Sequence, residues 1–549
     1  MPTYDTIGAR TQLGPDVNYY SSNGAAWTRG SPSLFDPRRK WDSTSDADDA
    51  SDRVGGAENN VDICFHQGEL HVVWVEPEWN GSVRLARGPF VKKWNGAAWV
   101  NVGGEVDPDI TPSDIRDAWD PTTEGYPFAS KSAIHPTDTT YYPARPRIVS
   151  DGTDLYVGYT VRRVTEGAGP PIGSYFIDNR TYFPRYRVVA GDWDQWISRW
   201  ARVRRWDGAS WELYGEIPAQ TCNAIHSTST FTGDYTGYLD LSASSAEPGV
   251  VYLTVWEIGQ TNVAIRWAYP VSFIITLVVG TNHYSGLKSR MYSARFDGSS
   301  TTGPVREFQA VTTSVVDSTG SSSAANNIAL TTFLANIASL TTPSETRTDG
   351  ATGVGYVFWS DPDVPELRME LQSDGSLVQA VNLASGLGAG PFSLGRGLGY
   401  YYISTRNNLY QVPEDGSADF DDLDSLPVFA AEGASKTPTL IADGADNIWT
   451  TRGWSADATS SEGALLQYHR PCRAWVDYGK VASTDTIYGR PALAIDGDTL
   501  YYAAAVFPYT DSSQDLKVQV WTVDILRDAL SCEGEFGATI HATFGKRPG

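Results

Sequence analysis

Arg145-Pro146-Arg147-Ile148-Val149-Ser150-Asp151-Gly152 runs into Leu155-Tyr156-Val157-Gly158-Tyr159, and Val61-Asp62-Ile63-Cys64-Phe65-His66-Gln67-Gly68 runs into Leu70-His71-Val72-Val73-Trp74-Val75. Each passage continues to the same short phrase, Trp206-Asp207-Gly208-Ala209-Ser210-Trp211 in the first and Trp94-Asn95-Gly96-Ala97-Ala98-Trp99 in the second. Asn-Gly and Asp-Gly supply the positive φ that two-residue hairpins need. Both passages therefore read as strand, turn, strand, gap, strand, turn, strand, which is a four-stranded antiparallel meander.

The same meander recurs along the chain. Thr437-Pro438-Thr439-Leu440-Ile441-Ala442-Asp443-Gly444 leads to Asn447-Ile448-Trp449-Thr450, and Arg490-Pro491 begins another copy that reaches Tyr502. Weaker copies are marked by Val250-Val251-Tyr252-Leu253-Thr254-Val255-Trp256 and Val354-Gly355-Tyr356-Val357-Phe358-Trp359. Sheets are expected around 58–106, 141–217, 235–311, 323–382, 390–430, 436–481 and 490–525. A chain of 549 residues with 19 Trp, 29 Tyr, 52 Gly and 31 Pro favours aromatic strands and tight turns over long helices. The fold class is thus all-β, a roughly seven-bladed β-propeller of four-stranded antiparallel blades. The last sheet lacks its outer hairpin, whereas Asn18-Tyr19-Tyr20-Ser21-Ser22-Asn23-Gly24-Ala25-Ala26-Trp27 has an outer strand's pattern with nothing in front of it. An N-terminal strand at about 18–29 is therefore expected to close the ring.

This gives an N-terminal arm over 1–57, a propeller over 58–530 and a tail over 531–549. Insertions are expected at about 107–141, 165–193, 269–286 and 313–349, the last with a short helix from Asn326 to Ser339. The formal net charge of −23 argues against nucleic acid and against an anionic membrane surface as main partner. The apolar run Pro270–Gly280 is too short to span a bilayer as a helix, so no membrane insertion is expected. Cys64, Cys222, Cys472 and Cys532 form no C-x-x-C pair and read as mostly free, buried thiols.

Chemistry is less legible than architecture. Seven His include no H-x-x-x-H or H-E-x-x-H pair, and neither a G-x-S-x-G elbow nor a G-x-x-x-x-G-K-[ST] loop occurs. A sialidase-type propeller would show Ser-x-Asp-x-Gly-x-Thr-Trp turns; the nearest stretch, Thr346-Arg347-Thr348-Asp349-Gly350, lacks the spacing and the Trp. The chain is accordingly expected not to be an enzyme. Alternating carboxylates at Asp419, Asp421, Asp422 and Asp424, and at Asp46, Asp48, Asp49 and Asp52, are weak Ca²⁺ candidates without the pattern of an EF-hand loop. No other cofactor is indicated. A locally basic aromatic run supplies the candidate binding residues Arg180, Tyr182, Arg185, Tyr186 and Arg187, followed by Trp193. Aromatic platforms with flanking guanidiniums suit sugar rings or a protein partner. Arg202, Arg204 and Arg205 beside Trp206 read as outer-strand surface.

The Asp-Gly-x-x-Leu-Tyr and Trp-Asn-Gly-Ala-Ala-Trp phrases resemble those of bacterial and bacteriophage β-propellers found as virion components. That resemblance implies a tail or head appendage located in the virion, a structural and adhesion protein. Its implied partners are other virion proteins, through the 1–57 arm and the 531–549 tail, host-surface glycan and further copies of itself. Two alternatives stay open: a polysaccharide-active glycoside hydrolase or lyase, and a bacterial surface lectin, extracellular or cell-surface by a leaderless route.

Overall fold

The computed structural model describes residues 10–15, 17, 61–79, 84–107, 138–168, 193–225, 236–270, 276–302, 305–312, 316–319, 344–361, 366–382, 392–405, 408–425, 439–443, 447–452, 464–470, 474–480, 486–507 and 517–524. They form seven antiparallel sheets, the expected propeller, with no helix among the described residues. The first blade pairs Val61–His66, Glu69–Trp79, Arg84–Trp94 and Trp99–Glu105 in chain order. The second pairs Asp138–Ser150, Leu155–Ala168, Trp193–Trp206 and Trp211–Ile225, and the third Thr236–Ala243, Val251–Pro270, Thr276–Phe296 and Val305–Thr312. The fourth (Ser344–Thr348 to Leu377–Asn382), fifth (Ser393–Gly397 to Asp421–Ser425) and sixth (Leu440–Ala442 to Ala474–Lys480) repeat this order. The seventh takes three strands, Thr486–Asp496, Thr499–Phe507 and Lys517–Asp524, from the end of the chain and a fourth, Arg10–Gln12, from its beginning.

Each blade's first strand is innermost and touches the first strands of its neighbours. Because strand side chains alternate between faces, the central strands are buried on both sides and read as continuous apolar runs. In Leu70–Val75 every residue is buried. Val72 and Trp74 pack toward the seventh blade, against Ala494, Ala503 and Val520, while Val73 packs toward the second, against Ile148 and Val157. Likewise Tyr401 and Ile403 join Phe358 and Met369 of the fourth blade, whereas Tyr402 joins Ile448 and Tyr468 of the sixth. Each large side chain sealed this way contributes roughly 1.5–3 kcal/mol.

Ring closure occurs earlier in the chain than expected. Arg10, Thr11 and Gln12 pair with Val523, Thr522 and Trp521, and the ladder continues as Leu13 N–H donates to Val520 O and Val17 N–H to Val518 O, both at 2.8 Å. The edge of Lys517–Asp524 is thereby occupied, and the 18–29 strand and the Asn326–Ser339 helix both lie outside the described residues. The physical reason for closure at Leu13–Val17 is a packing device shared with the first blade. Trp94 and Trp99, rings 5.2 Å apart, sit over Gly14, and Trp99 Nε1 donates to Leu13 O at 3.1 Å. One blade on, Trp206 and Trp211 sit over Gly103, and Trp211 Nε1 donates to Val102 O at 2.9 Å. Both glycines have φ of 72°, and a Cβ on either would fall within 3 Å of an indole.

Meander topology also divides the two rims. First-to-second and third-to-fourth hairpins all emerge at one rim and are mostly tight, as His66–Glu69 and Trp94–Trp99 are. Second-to-third and fourth-to-first connections all emerge at the other, and the segments running on from Asp107, Ala168, Ile225 and Thr319 leave from it. The expected 269–286 insertion is largely not a loop: Val251–Pro270 and Thr276–Phe296 pair through Pro270 and Thr276, as 20- and 21-residue strands.

Gly14→Val should lower unfolding stability by about 2–4 kcal/mol, since it adds backbone strain at positive φ to a clash with Trp94. A urea midpoint unchanged from wild type would show that the seam does not depend on this contact.

Candidate functional site

The basic aromatic candidates Arg180, Tyr182, Arg185, Tyr186 and Arg187 lie outside the described residues, in the connection between the second and third strands of the second blade. Trp193 is the first residue of that third strand and pairs with Ala168. The ends of this connection therefore leave the ring at the long-connection rim, as do those of the 108–137 and 226–235 connections.

The calcium candidates do not converge. Asp421 and Asp422 are consecutive on the outer strand of the fifth blade, opposite Gln411 and Tyr410, and so belong to opposite faces. Asp421 accepts from Gln411 Nε2 at 3.0 Å and Asp422 from Asn408 Nδ2 at 2.9 Å. Asp419 is exposed in the preceding turn, and Asp424 pairs with Leu409 across a bulge. Among the described residues no group of three or more His, Cys, Asp or Glu is placed to hold a metal ion. Asp46, Asp48, Asp49 and Asp52 lie outside them. Cys64 is a free thiol that burial pushes well above its ordinary pKa.

What the structure does bring together is a polar belt on the innermost strands. Asp62 accepts from Ile148 N–H of the next blade at 3.0 Å, Asp240 from Thr346 N–H at 2.9 Å, and Glu345 from Leu394 N–H at 2.7 Å. Ser393 Oγ accepts from Leu440 N–H at 3.1 Å, and Thr439 Oγ1 donates to Pro491 O. Two guanidiniums fill the remaining gaps. Arg147 lies 3.7 Å from both Asp62 and Asp240 and donates to Leu239 O at 3.3 Å. Arg347 pairs with Asp240 and, at 2.8 Å, with Glu345, and it donates to Leu394 O at 2.7 Å. Burial raises the Asp62 carboxyl against the pull of Arg147. Arg347, opposed by burial, is held above its ordinary value by Asp240 and Glu345. With each guanidinium clasped between two carboxylates, the belt is a brace and leaves its cations no spare charge for an anionic ligand.

A second buried cluster anchors the long-connection rim. Asp107, fully buried where the first blade gives way to the next connection, accepts from Arg204 Nη2 at 2.7 Å, from Arg202 Nη1 at 2.8 Å and from the Tyr159 hydroxyl. Arg202 also donates to Glu216 at 2.7 Å, and burial with Asp107 nearby pushes the Tyr159 phenol well up. The expectation that Arg202 and Arg204 are outer-strand surface is thus corrected: they lie on the third strand of the second blade, and Arg204 is 5% exposed. Their carboxylate partner stands far earlier in the sequence, so local reading could not pair them. At the opposite rim, His66 Nδ1 lies 2.8 Å from Ser150 Oγ, and the buried His71 lies 3.0 Å from Glu69 O with its ring 5.6 Å from that of His66. Burial lowers both imidazoles from their ordinary value, His71 to about 4.

No family model matches this sequence, and no curated protein matches it. Similar solved structures include a mutant Trypanosoma rangeli sialidase displaying trans-sialidase activity (10% identity, TM-score 0.33, covering 94% of this chain and 59% of that one). Porphyromonas gingivalis dipeptidyl peptidase 4 is similar at 9% identity and TM-score 0.27, over 83% of this chain and 59% of that one. The RS223 β-xylosidase is similar at 9% identity and TM-score 0.23, over 53% and 92%. The chain thus spans about three fifths of the sialidase's length. The expectation of a protein that is not an enzyme is corrected on this finding, since all three of these structures are enzymes. The likeness carries the propeller fold to this chain and no activity.

Asp240→Ala should cost about 3–5 kcal/mol in chemical denaturation, because it leaves Arg147, Arg347 and the Thr346 N–H facing an apolar side chain. Acidification should also weaken the fold through His71. The unfolded imidazole takes up its proton near 6.5 and the folded one only near 4, so between these values the unfolded state holds more protons and stability falls as pH drops. The loss should reach about 2–3 kcal/mol near pH 4. His71→Phe, compared at pH 7 and pH 4.5, should flatten that slope; an unaltered slope would assign it to other groups.

Proposed function

We propose that the chain is a recognition scaffold of the virion-appendage kind, whose long-connection rim meets host-surface glycan or another virion protein. The observation that carries this reading is the inequality of the rims. Hairpins of a few residues crowd one end of the ring, while the connection bearing Arg180, Tyr182, Arg185, Tyr186 and Arg187, and ending at Trp193, leaves from the other. Recognition residues on connections between rigid strands can vary while the scaffold stays fixed. The polar belt and the Asp107 clamp supply that rigidity directly beneath the feet of the connections. The arm over 1–57 and the tail over 531–549 are the segments proposed to join partner chains in the particle.

Glycan arrays and isolated host envelope, probed with the full chain, test this directly. Saturable binding is expected. Tyr182→Ala combined with Arg185→Ala should weaken it at least tenfold, a loss of about 1.4 kcal/mol, with an unchanged melting temperature. A large drop in melting temperature would instead make those side chains packing residues. Sugar-product analysis on the same samples separates retention of glycan from cleavage by a hydrolase or lyase. Absence of binding to every surface offered would remove the reading.

A further inference from the structure

The third blade carries an arm that glycan recognition does not require. Up to Glu257, which pairs with Thr236, its second strand has neighbours on both sides. From Ile258 to Pro270 its partner among the described residues is the returning strand Thr276–Ser289. The returning strand is covered in part, by Val316–Thr319 beside Asn282–Ser285 and by Val305–Thr312 beside Lys288–Ala294. Among the described residues nothing pairs with the outer edge of Ile258–Pro270. At about 3.3 Å per residue, this ribbon extends roughly 40 Å past the part of the strand shared with the rest of the blade. The second blade makes a useful contrast, because its long strands, 13 to 15 residues each, lie side by side in a four-stranded sheet.

A two-stranded ribbon is at best marginally stable in water, and a long open edge presents a row of unpaired N–H and C=O groups. Natural edges are usually blunted by charge or proline. Here Ile258-Gly259-Gln260-Thr261-Asn262-Val263-Ala264-Ile265-Arg266-Trp267 carries one charge and no proline. The pairing register sets Val263 opposite Tyr284 and Tyr269 opposite Leu277. Ile258 through Leu287 contains no carboxylate at all, in a chain with 65 acidic residues and a net charge of −23.

We propose that this arm is a self-association strand: the Ile258–Pro270 edge pairs with the same edge of a second copy. Charge selects that occupant. Two copies of so acidic a chain repel wherever their carboxylates face each other; the Ile258–Pro270 edge contributes none, and Asp317, opposite Tyr284, stands on the far side of the returning strand. Antiparallel pairing about a two-fold axis matches an edge to itself, satisfies both rows of backbone groups and widens the marginal ribbon to four strands.

Light scattering on size-separated full chain, over a dilution series, gives the test. The wild type should run as a dimer that dissociates on dilution. Val263→Lys with Ile265→Lys should run as a monomer with an unchanged melting temperature, because lysines at the edge oppose their copies without touching the ring. A second variant, in which residues 261–283 are replaced by Asn-Gly, should likewise be monomeric. A wild type that is monomeric at every concentration would overturn the proposal, as would lysine variants that still associate. A melting temperature lowered by the lysines would also overturn it, by showing the arm packed on its own chain. Flotation of wild-type monomer with neutral phosphatidylcholine vesicles would name lipid as the occupant instead. The measurement involves no glycan, so its failure and that of the recognition reading are separable.

Discussion

The hydrogen bond that an inner-strand carboxylate or hydroxyl accepts from the next blade's backbone is the contact on which the ring depends. Apolar packing between blades is strong but has no direction, and one aliphatic face slides on another at little cost. Asp62, Asp240, Glu345 and Ser393 remove that freedom, because each fixes one N–H of the following innermost strand. Arg147 and Arg347 then tie neighbouring carboxylates together, so that a shift at one junction disturbs the next. Between the seventh and first blades the same task falls to an apolar cluster around Val72 and Val520 and to the indoles over Gly14.

This arrangement places much of the stability in contacts between neighbouring blades. Asp62, Arg347 and Tyr159 are buried groups with shifted ionisation that answer to a neighbouring strand or blade. Such shifts often mark reactive centres, yet ion-pair networks produce them too. Here the second cause accounts for Arg347, which bonds Asp240 and Leu394 O of the adjoining blades together with Glu345 and Thr346 O of its own strand.

The blades were legible because their signals are local: Asp151-Gly152, Asn95-Gly96 and Asp207-Gly208 announce hairpins within a few residues. The closing strand was not, because Asn23-Gly24-Ala25-Ala26-Trp27 copies the Asn95–Trp99 phrase and drew attention away from Leu13-Gly14-Pro15-Asp16-Val17. That shorter stretch matches Val102-Gly103-Gly104-Glu105-Val106 position by position, and its meaning is a glycine beneath an indole pair, which only packing reveals. Arg204 misled for a similar reason: a charge on a strand suggests solvent until Asp107 is found opposite. Asp421 and Asp422 do not converge because adjacent carboxylates on an extended chain point to opposite faces.

The seam has a temporal consequence. On the ribosome, Arg10 to Val17 is synthesised before any blade exists, whereas Lys517–Asp524 emerges after all the others. Until then the nascent chain holds an open arc, with the apolar flank of its first blade exposed around Val72 and Trp74. Completion of the ring therefore requires the earliest segment to remain available for the last.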